Sequence, residues 1–306
     1  MMNLGGPDSP EAIQPFLYNL LSDAGLIPFP AHWMRRMFAT WISNRRAKVV
    51  RAEYLKMGGA SPQLTIVRNQ AKALEASLGE GFSCRPVFRY WGESADDAAA
   101  ELEPDQPVVL LSLFPHRCGA TTTTCLQDAA RALADHTGPV KQVESYPQHP
   151  RYVQALAESI REAIQLAPSD LETHLVFSAH GIPVSWVENG DPYLGETQAT
   201  VEALVEALGD SLPSWHLAFQ SKLGRAKWLQ PSAIDTLKRL GGEGVKSVIV
   251  VPISFTCDHI ETLIEIDEQL RDVALEHGIE HFSRSRSLNT EPTWIQALAE
   301  LVRAAE

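Results

Sequence analysis

The chain has 306 residues, 44% apolar and 21% charged, and 38 acidic against 26 basic side chains leave a formal net charge of −12. That length exceeds one ordinary core and fits two domains. The acidity, with no basic stripe to offset it, argues against a nucleic-acid partner.

Taken in chain order, Met1-Met2-Asn3-Leu4 runs into Gly5-Gly6-Pro7 too soon to leave room for a strand of any length. Ser9-Pro10-Glu11 reads as a helix N-cap followed by proline at the first helical position. Residues 16–42 are rich in Phe, Leu, Trp and Met and precede the basic pair Arg45-Arg46. They fit ordinary core, an apolar lip over a flat ligand, or a surface that touches a membrane. Helical patterns are expected over 65–78, 121–134, 151–165, 197–208 and 260–277. Apolar, β-branched runs predict strands over 85–91, 107–114, 174–179, 216–220 and 247–255. The longest of these runs are too short to span a bilayer, and no secretory leader is expected from the opening residues.

The alternation runs twice, which predicts an α/β protein of two Rossmann-like domains. Each would be a parallel sheet flanked by helices, with a ligand cleft between the two and chemistry at the carboxyl ends of the strands. The expected domains are 1–146 and 147–288, divided at the 146–150 stretch, with a C-terminal helix over about 289–306 packing on the first. Cys84, Cys118, Cys125 and Cys257 form no CxxC pair. Four thiols in a chain this long read as reduced cysteines of a cytoplasmic protein.

His180 closes an apolar run and is followed by Gly181, which permits a tight turn and close approach of a ligand. Asp258, Glu261, Glu265 and Glu268 are spaced three, four and three apart, which stacks them on one α-helical face directly after a strongly apolar strand. A lone histidine is more often structural, and an acidic row is more often a solvated face. Their positions at two strand ends favour a proton-and-cation site over both of those readings. No GxxxxGK[ST], no GxGxxG after a strand and no GxSxG elbow is present. Cys118-x6-Cys125 lacks the close pairing of a structural zinc site.

These residues, in this order, resemble ferrochelatase, which inserts ferrous iron into protoporphyrin to make protohaem. The resemblance covers nearly the whole chain: Asn3-Leu4-Gly5-Gly6-Pro7-Asp8, Pro15 to Leu20, Tyr54 with Gly58 to Pro62, Phe88-Arg89-Tyr90, Ser178 to Pro183, Gly190 to Tyr193, Gln220 to Gly224 with Trp228, Val251 to Phe255, and Asp258 to Leu263. It implies a two-domain chelatase fold with the porphyrin in the cleft. It maps the essential histidine onto His180 and the essential glutamate onto Glu261, at the metal-binding centre. Asp258 and Glu265 become a proton relay or metal path, and the next position of the acidic row falls at Gln269. Leu4, Arg46, Tyr54, Arg89, Tyr90, Phe114, Ser221 and Trp228 become porphyrin-binding or supporting residues, and the 16–42 segment becomes the pocket lip.

The implied partners are protoporphyrin IX and ferrous iron, the iron as substrate with no cofactor required. Peripheral membrane contact is a further implication, and the oligomeric state is left open. The chain departs from the family pattern at Phe114, where a hydroxyl is usual, and at Gly92-Glu93, where His-Pro is usual. It also lacks the cysteine-bearing tail with which some relatives hold an iron–sulfur cluster, so no cluster is expected. Three alternatives stand beside this one: a coproporphyrin III ferrochelatase, another tetrapyrrole metal chelatase, and an inactive tetrapyrrole-binding relative.

Overall fold

The computed structural model describes the chain except for Pro28, Pro30, Leu223, Arg225 and Glu306. Leu223, within the quoted Gln220–Gly224 stretch, and two prolines of the apolar 16–42 segment therefore lie outside the described residues. The polypeptide divides into two compact units, Met1–Ser145 with Leu298–Glu306, and Tyr146–Ala297.

In the first unit, β1 (Met2–Gly5) pairs in parallel with β2 (Val87–Trp91), and β3 (Val108–Leu111) pairs in parallel with β4 (Val140–Val143). Met2 also bridges Ser112 in parallel, and the Leu113 N–H donates to the Met2 carbonyl at 3.1 Å. The resulting order is β2-β1-β3-β4. The second unit holds β5 (Thr173–His180), β6 (Trp215–Gln220), β7 (Ser247–Pro252) and β8 (His281–Arg284) in the order β6-β5-β7-β8, all parallel. Each unit thus begins at an inner strand, adds the next on one side, and returns to the other side for the last two. The direction of winding reverses between β1 and β3, and again between β5 and β7. Loops diverge at such a reversal and leave a crevice beyond the carboxyl ends of the strands.

The strand cores lie where the apolar runs predicted them, and three further strands appear. β1 exists despite its length, because parallel partners on both sides satisfy its four residues. β4 is largely exposed and β8 is only partly buried, so neither carries the continuous apolar run of a central parallel strand. The first helix begins at Ile13 rather than after Ser9. Ser9 instead closes a turn, its hydroxyl accepting from the Ala12 N–H at 3.2 Å. The basic, aromatic segment forms one long helix, His32–Lys56.

The core of the second unit joins Val176, Ala218, Val248 and Val250 of the sheet to Leu237, Leu240, Ile266 and Leu270 of two helices. Tyr146, at the start of this unit, is buried edge-on to Tyr152 and beside Trp294. The Tyr152 hydroxyl donates to the Ile253 carbonyl just beyond β7, so this aromatic cluster braces the carboxyl end of that strand. In the first unit, His116 follows β3 and is fully enclosed. Burial pushes its imidazole down to about 3, so it is neutral near pH 7.

Both units place a π-helical segment after the strand that follows the reversal. These are Gly119–Thr123, which continues as the α-helix Thr124–Ala132, and Glu261–Leu270, which continues as Arg271–Glu276. The α-helical spacing expected for the acidic row is corrected here. Asp258 lies ahead of the helix, and the Arg271 N–H reaches back five residues to the Ile266 carbonyl. With i→i+5 bonding a turn takes more residues than in an α-helix. Glu268 therefore rotates off the face of Glu261, while Glu261 and Glu265, four apart, remain neighbours.

Candidate active site

His180 is the last residue of β5, at the reversal point of the second unit. Its backbone N–H donates to the Ser254 hydroxyl at 2.9 Å, and its carbonyl accepts from the Tyr193 hydroxyl at 2.8 Å. The Ile253 N–H donates to the Ser178 carbonyl at 3.0 Å, so the ends of β5 and β7 are tied together. The imidazole Nδ1 lies 2.7 Å from the Gly181 carbonyl, which can only accept. Nδ1 therefore carries the proton of the neutral ring, and Nε2 presents a lone pair. Gly181 is required by its neighbours: a Cβ there would come within 2.9 Å of the Gln220 carbonyl and 3.2 Å of the Trp228 ring.

A row of rings runs from His180 to the acidic segment. Phe255 meets His180 edge-on at a centroid distance of 6.3 Å and His259 edge-on at 4.4 Å. His259 Nδ1 lies 3.4 Å from Glu261 Oε2. His180 and Glu261 are thus joined by a row of contacts through Phe255 and His259, beyond the carboxyl ends of β5 and β7. Phe255 and His259 were not among the expected site residues, because ring packing between two loop positions leaves no periodic signal.

Asp258 and Glu265 stand differently. Asp258 accepts from the Ser287 hydroxyl at 2.7 Å, the Asn289 amide at 2.8 Å and the Thr262 hydroxyl at 3.1 Å, and lies 3.2 Å from the Arg284 guanidinium. Burial pushes its carboxyl upward, but the bonds from Asn289 and Ser287 and the charge of Arg284 outweigh this and hold it below the ordinary value. Glu265 receives the Ser221 N–H at 2.7 Å, the Ser221 hydroxyl, and the Gln220 amide at 2.9 Å. Ser221 adopts a left-handed φ of 65°, which aims its N–H and hydroxyl at the same carboxylate. Trp228 joins Pro183 in a short antiparallel bridge, and its buried indole N–H has no hydrogen-bond partner among the described residues.

A family profile described as ferrochelatase matches residues 1–306. The chain is 41% identical to the ferrochelatase of Geotalea daltonii, with 100% of this chain and 97% of that protein covered. It is 40% identical to the ferrochelatase of Aquifex aeolicus, with 99% and 97% covered. The chain belongs to the ferrochelatase family. Among solved structures, SirB from Bacillus subtilis with Fe3+ superposes with a TM-score of 0.59 at 12% identity, covering 79% of this chain and 89% of that one. CbiX, the terminal enzyme of sirohaem biosynthesis in denitrifying bacteria, superposes with a TM-score of 0.56 at 16% identity, covering 80% and 93%. These two establish the chelatase-type α/β fold.

In this ferrochelatase-family chain, the first unit places the remaining expected residues in two settings. Leu4 and Phe114 pack beside Met2 and Leu110 at the carboxyl ends of β1 and β3. Arg89 and Tyr90 converge on Asp23, at 2.8 Å from the guanidinium and 3.1 Å from the hydroxyl, and Arg89 also lies 3.3 Å from Asp128. Burial, then the Asp23 charge, pushes the Tyr90 hydroxyl far above the ordinary range, so it stays protonated. Asp23 and Asp128 were not anticipated, since isolated acidic residues on a loop and a helix announce no partner. Arg46 and Tyr54 lie on the long helix, Arg46 half-exposed and Tyr54 buried. Among the described residues, no group of three His, Cys, Asp or Glu side chains converges as a metal-holding set.

Proposed function

We propose that this chain inserts Fe2+ into protoporphyrin IX, forming protohaem and releasing two protons, as the terminal step of haem biosynthesis. The observation that carries the reading is the 2.7 Å contact of His180 Nδ1 with the Gly181 carbonyl, which leaves the Nε2 lone pair for a ligand at the strand end, with Glu261 linked to it through Phe255 and His259. A free-base porphyrin carries two N–H protons that must leave as the metal enters. Bending the ring turns its nitrogen lone pairs out of plane, and binding in a shaped pocket supplies that strain. Nε2 of His180 takes the first pyrrole proton as general base, gives it up to water and then takes the second, while Glu261 meets the cation. Leu4 and Phe114 are assigned to contact with the macrocycle, Arg46, Tyr54, Ser221 and Trp228 to binding it, and Arg89 with Tyr90 to support.

Protoporphyrin is favoured over the more carboxylated coproporphyrin III by the apolar, exposed face of the long helix, where Trp33, Met37 and Trp41 are 63%, 65% and 59% accessible. Anaerobic turnover with ferrous iron, measured on both porphyrins, should give the higher kcat/KM for protoporphyrin. A preference for coproporphyrin of tenfold or more overturns that choice.

The same helix carries Arg35, Arg36, Arg45, Arg46, Lys48, Arg51 and Lys56 against one acidic residue, Glu53, in a chain of net charge −12. Cations beside exposed tryptophans suit peripheral contact with an anionic bilayer, each cation adding about 1 kcal/mol near the surface. No described helix is long and apolar enough to cross a membrane. Co-sedimentation with phosphatidylglycerol vesicles at low salt, weakened by Trp33→Ala with Trp41→Ala, is expected. Protein left wholly in the supernatant refutes the contact.

A further inference from the structure

Gln220 is the last residue of β6, buried, and the direct ladder partner of His180. Its carbonyl accepts the Gly181 N–H at 2.8 Å, and the Gly181 carbonyl in turn holds Nδ1 of His180 at 2.7 Å. Its side chain faces the acidic helix. Oε1 accepts from the Ser178 hydroxyl at 2.7 Å, while Nε2 donates to the Glu265 carboxylate at 2.9 Å and to the Glu261 carbonyl at 3.3 Å. Ser178 is fully buried on β5, two residues before His180 and on the same face of the strand. One residue therefore touches the peptide that fixes the base and the first turn of the helix that presents the acid.

We infer that Gln220 is the positioning residue that sets Glu261 against His180, with Ser178 as its anchor. This rests on the assignment of His180 and Glu261 to metal insertion. The chemistry of the position is narrow. The side chain must accept one hydroxyl proton and donate two, to a carboxylate and a carbonyl, and only a primary amide of this length does both. A carboxylate there would face the Glu265 carboxylate in a water-poor site. A methionine would fill the volume and leave the Ser178 hydroxyl, the Glu265 carboxylate and the Glu261 carbonyl short of partners. The π-helical segment starts at Glu261, and the Gln220 amide ties the carbonyl of that first residue from outside the helix at 3.3 Å.

The test compares the full-length protein with Gln220→Met, Ser178→Ala and the double variant. Each is checked by thermal melting and assayed for zinc insertion into protoporphyrin, with metal and porphyrin KM determined separately. Gln220→Met should lower kcat tenfold or more and raise the metal KM, leaving the porphyrin KM within about twofold, since no porphyrin contact is removed. Ser178→Ala should move the same two parameters less far. The double variant should be no worse than Gln220→Met, as for members of one chain of hydrogen bonds. A folded Gln220→Met with the wild-type kcat and metal KM overturns the inference, as does a loss confined to the porphyrin KM. If Gln220→Met does not fold, Ser178→Ala decides on the same readouts. Absence of turnover by the wild type with every porphyrin would instead overturn the assigned reaction. Equilibrium Zn2+ binding then tests the positioning role, and equal affinity in Gln220→Met and wild type refutes it.

Discussion

His180→Ala should reduce metal insertion by about 10²- to 10⁴-fold, the range typical for removal of a general base. Porphyrin binding, followed by the Soret shift, should stay within a few-fold of wild type. The expectation rests on three bonds, one held by the ring and two by the backbone. The imidazole is fixed through Nδ1 to a backbone carbonyl, and the backbone of the same residue is fixed independently through Ser254 and Tyr193. Removing the ring therefore leaves the strand end in place and takes away the open lone pair together with the ring's contacts to the Gly181 carbonyl and Phe255. The loss should fall on kcat rather than on either KM, and added imidazole should restore part of the rate. An alanine variant that inserts zinc at the wild-type rate would dismiss His180 as the base.

The fold was legible in the sequence wherever burial forces a pattern. β5, β6 and β7 are central or core-facing strands, and their residues must be apolar on both faces or alternate against a helix layer. The runs at 174–179, 216–220 and 247–255 therefore marked them within a residue or three. β4, Val140-Lys141-Gln142-Val143, carries a lysine and a glutamine because it is largely exposed, and nothing in such a tetrapeptide separates it from a loop. The four-residue β1 was judged too short to be a strand, a judgement that omits what the chain brings to it from 85 and 110 residues away. The long helix His32–Lys56 escaped for a related reason. Its apolar residues lie on an exposed face as well as a buried one, so no single stripe marks the core side.

The site divides along the same line. His180 and Glu261 could be singled out because each follows an apolar strand, and strand ends in a parallel sheet are where loops gather. Their supports are invisible at that level. Gln220 closes a strand of ordinary appearance and Ser221 follows it, and their bonds to Glu265 depend on a left-handed turn and a π-helical start that no residue spacing encodes. The acidic row shows the cost of assuming an α-helix: the three-four-three spacing counted Glu268 as a neighbour of Glu261 and placed Asp258 on a face that begins only after it.

Asp258→Ala should destabilise the second unit by about 2–4 kcal/mol, a larger effect on folding than on the chemical step. Asp258 ties the loop after β7 to the segment after β8 through Ser287, Asn289 and Arg284, and it meets Thr262 at the start of the acidic helix. Arg284 is mostly buried and keeps a two-pronged pair with Asp267 at 2.8 and 2.9 Å. One charge partner therefore survives, and the loss should sit at or below the usual cost of breaking a buried pair. A proton relay must take up and release a proton near neutral pH, whereas this carboxylate is held ionised by several donors and a cation. Because its folded pKa is lowered, its contribution is complete above the unfolded value of about 3.9. It fades as pH falls from there toward the folded value. Acid unfolding of Asp258→Asn should accordingly lack that part of the slope. Urea unfolding followed by tryptophan fluorescence at pH 7 and pH 3.5 measures both effects. If stability stays within about 0.5 kcal/mol of wild type while turnover falls a hundredfold, Asp258 carries protons or metal and the bracing role is wrong.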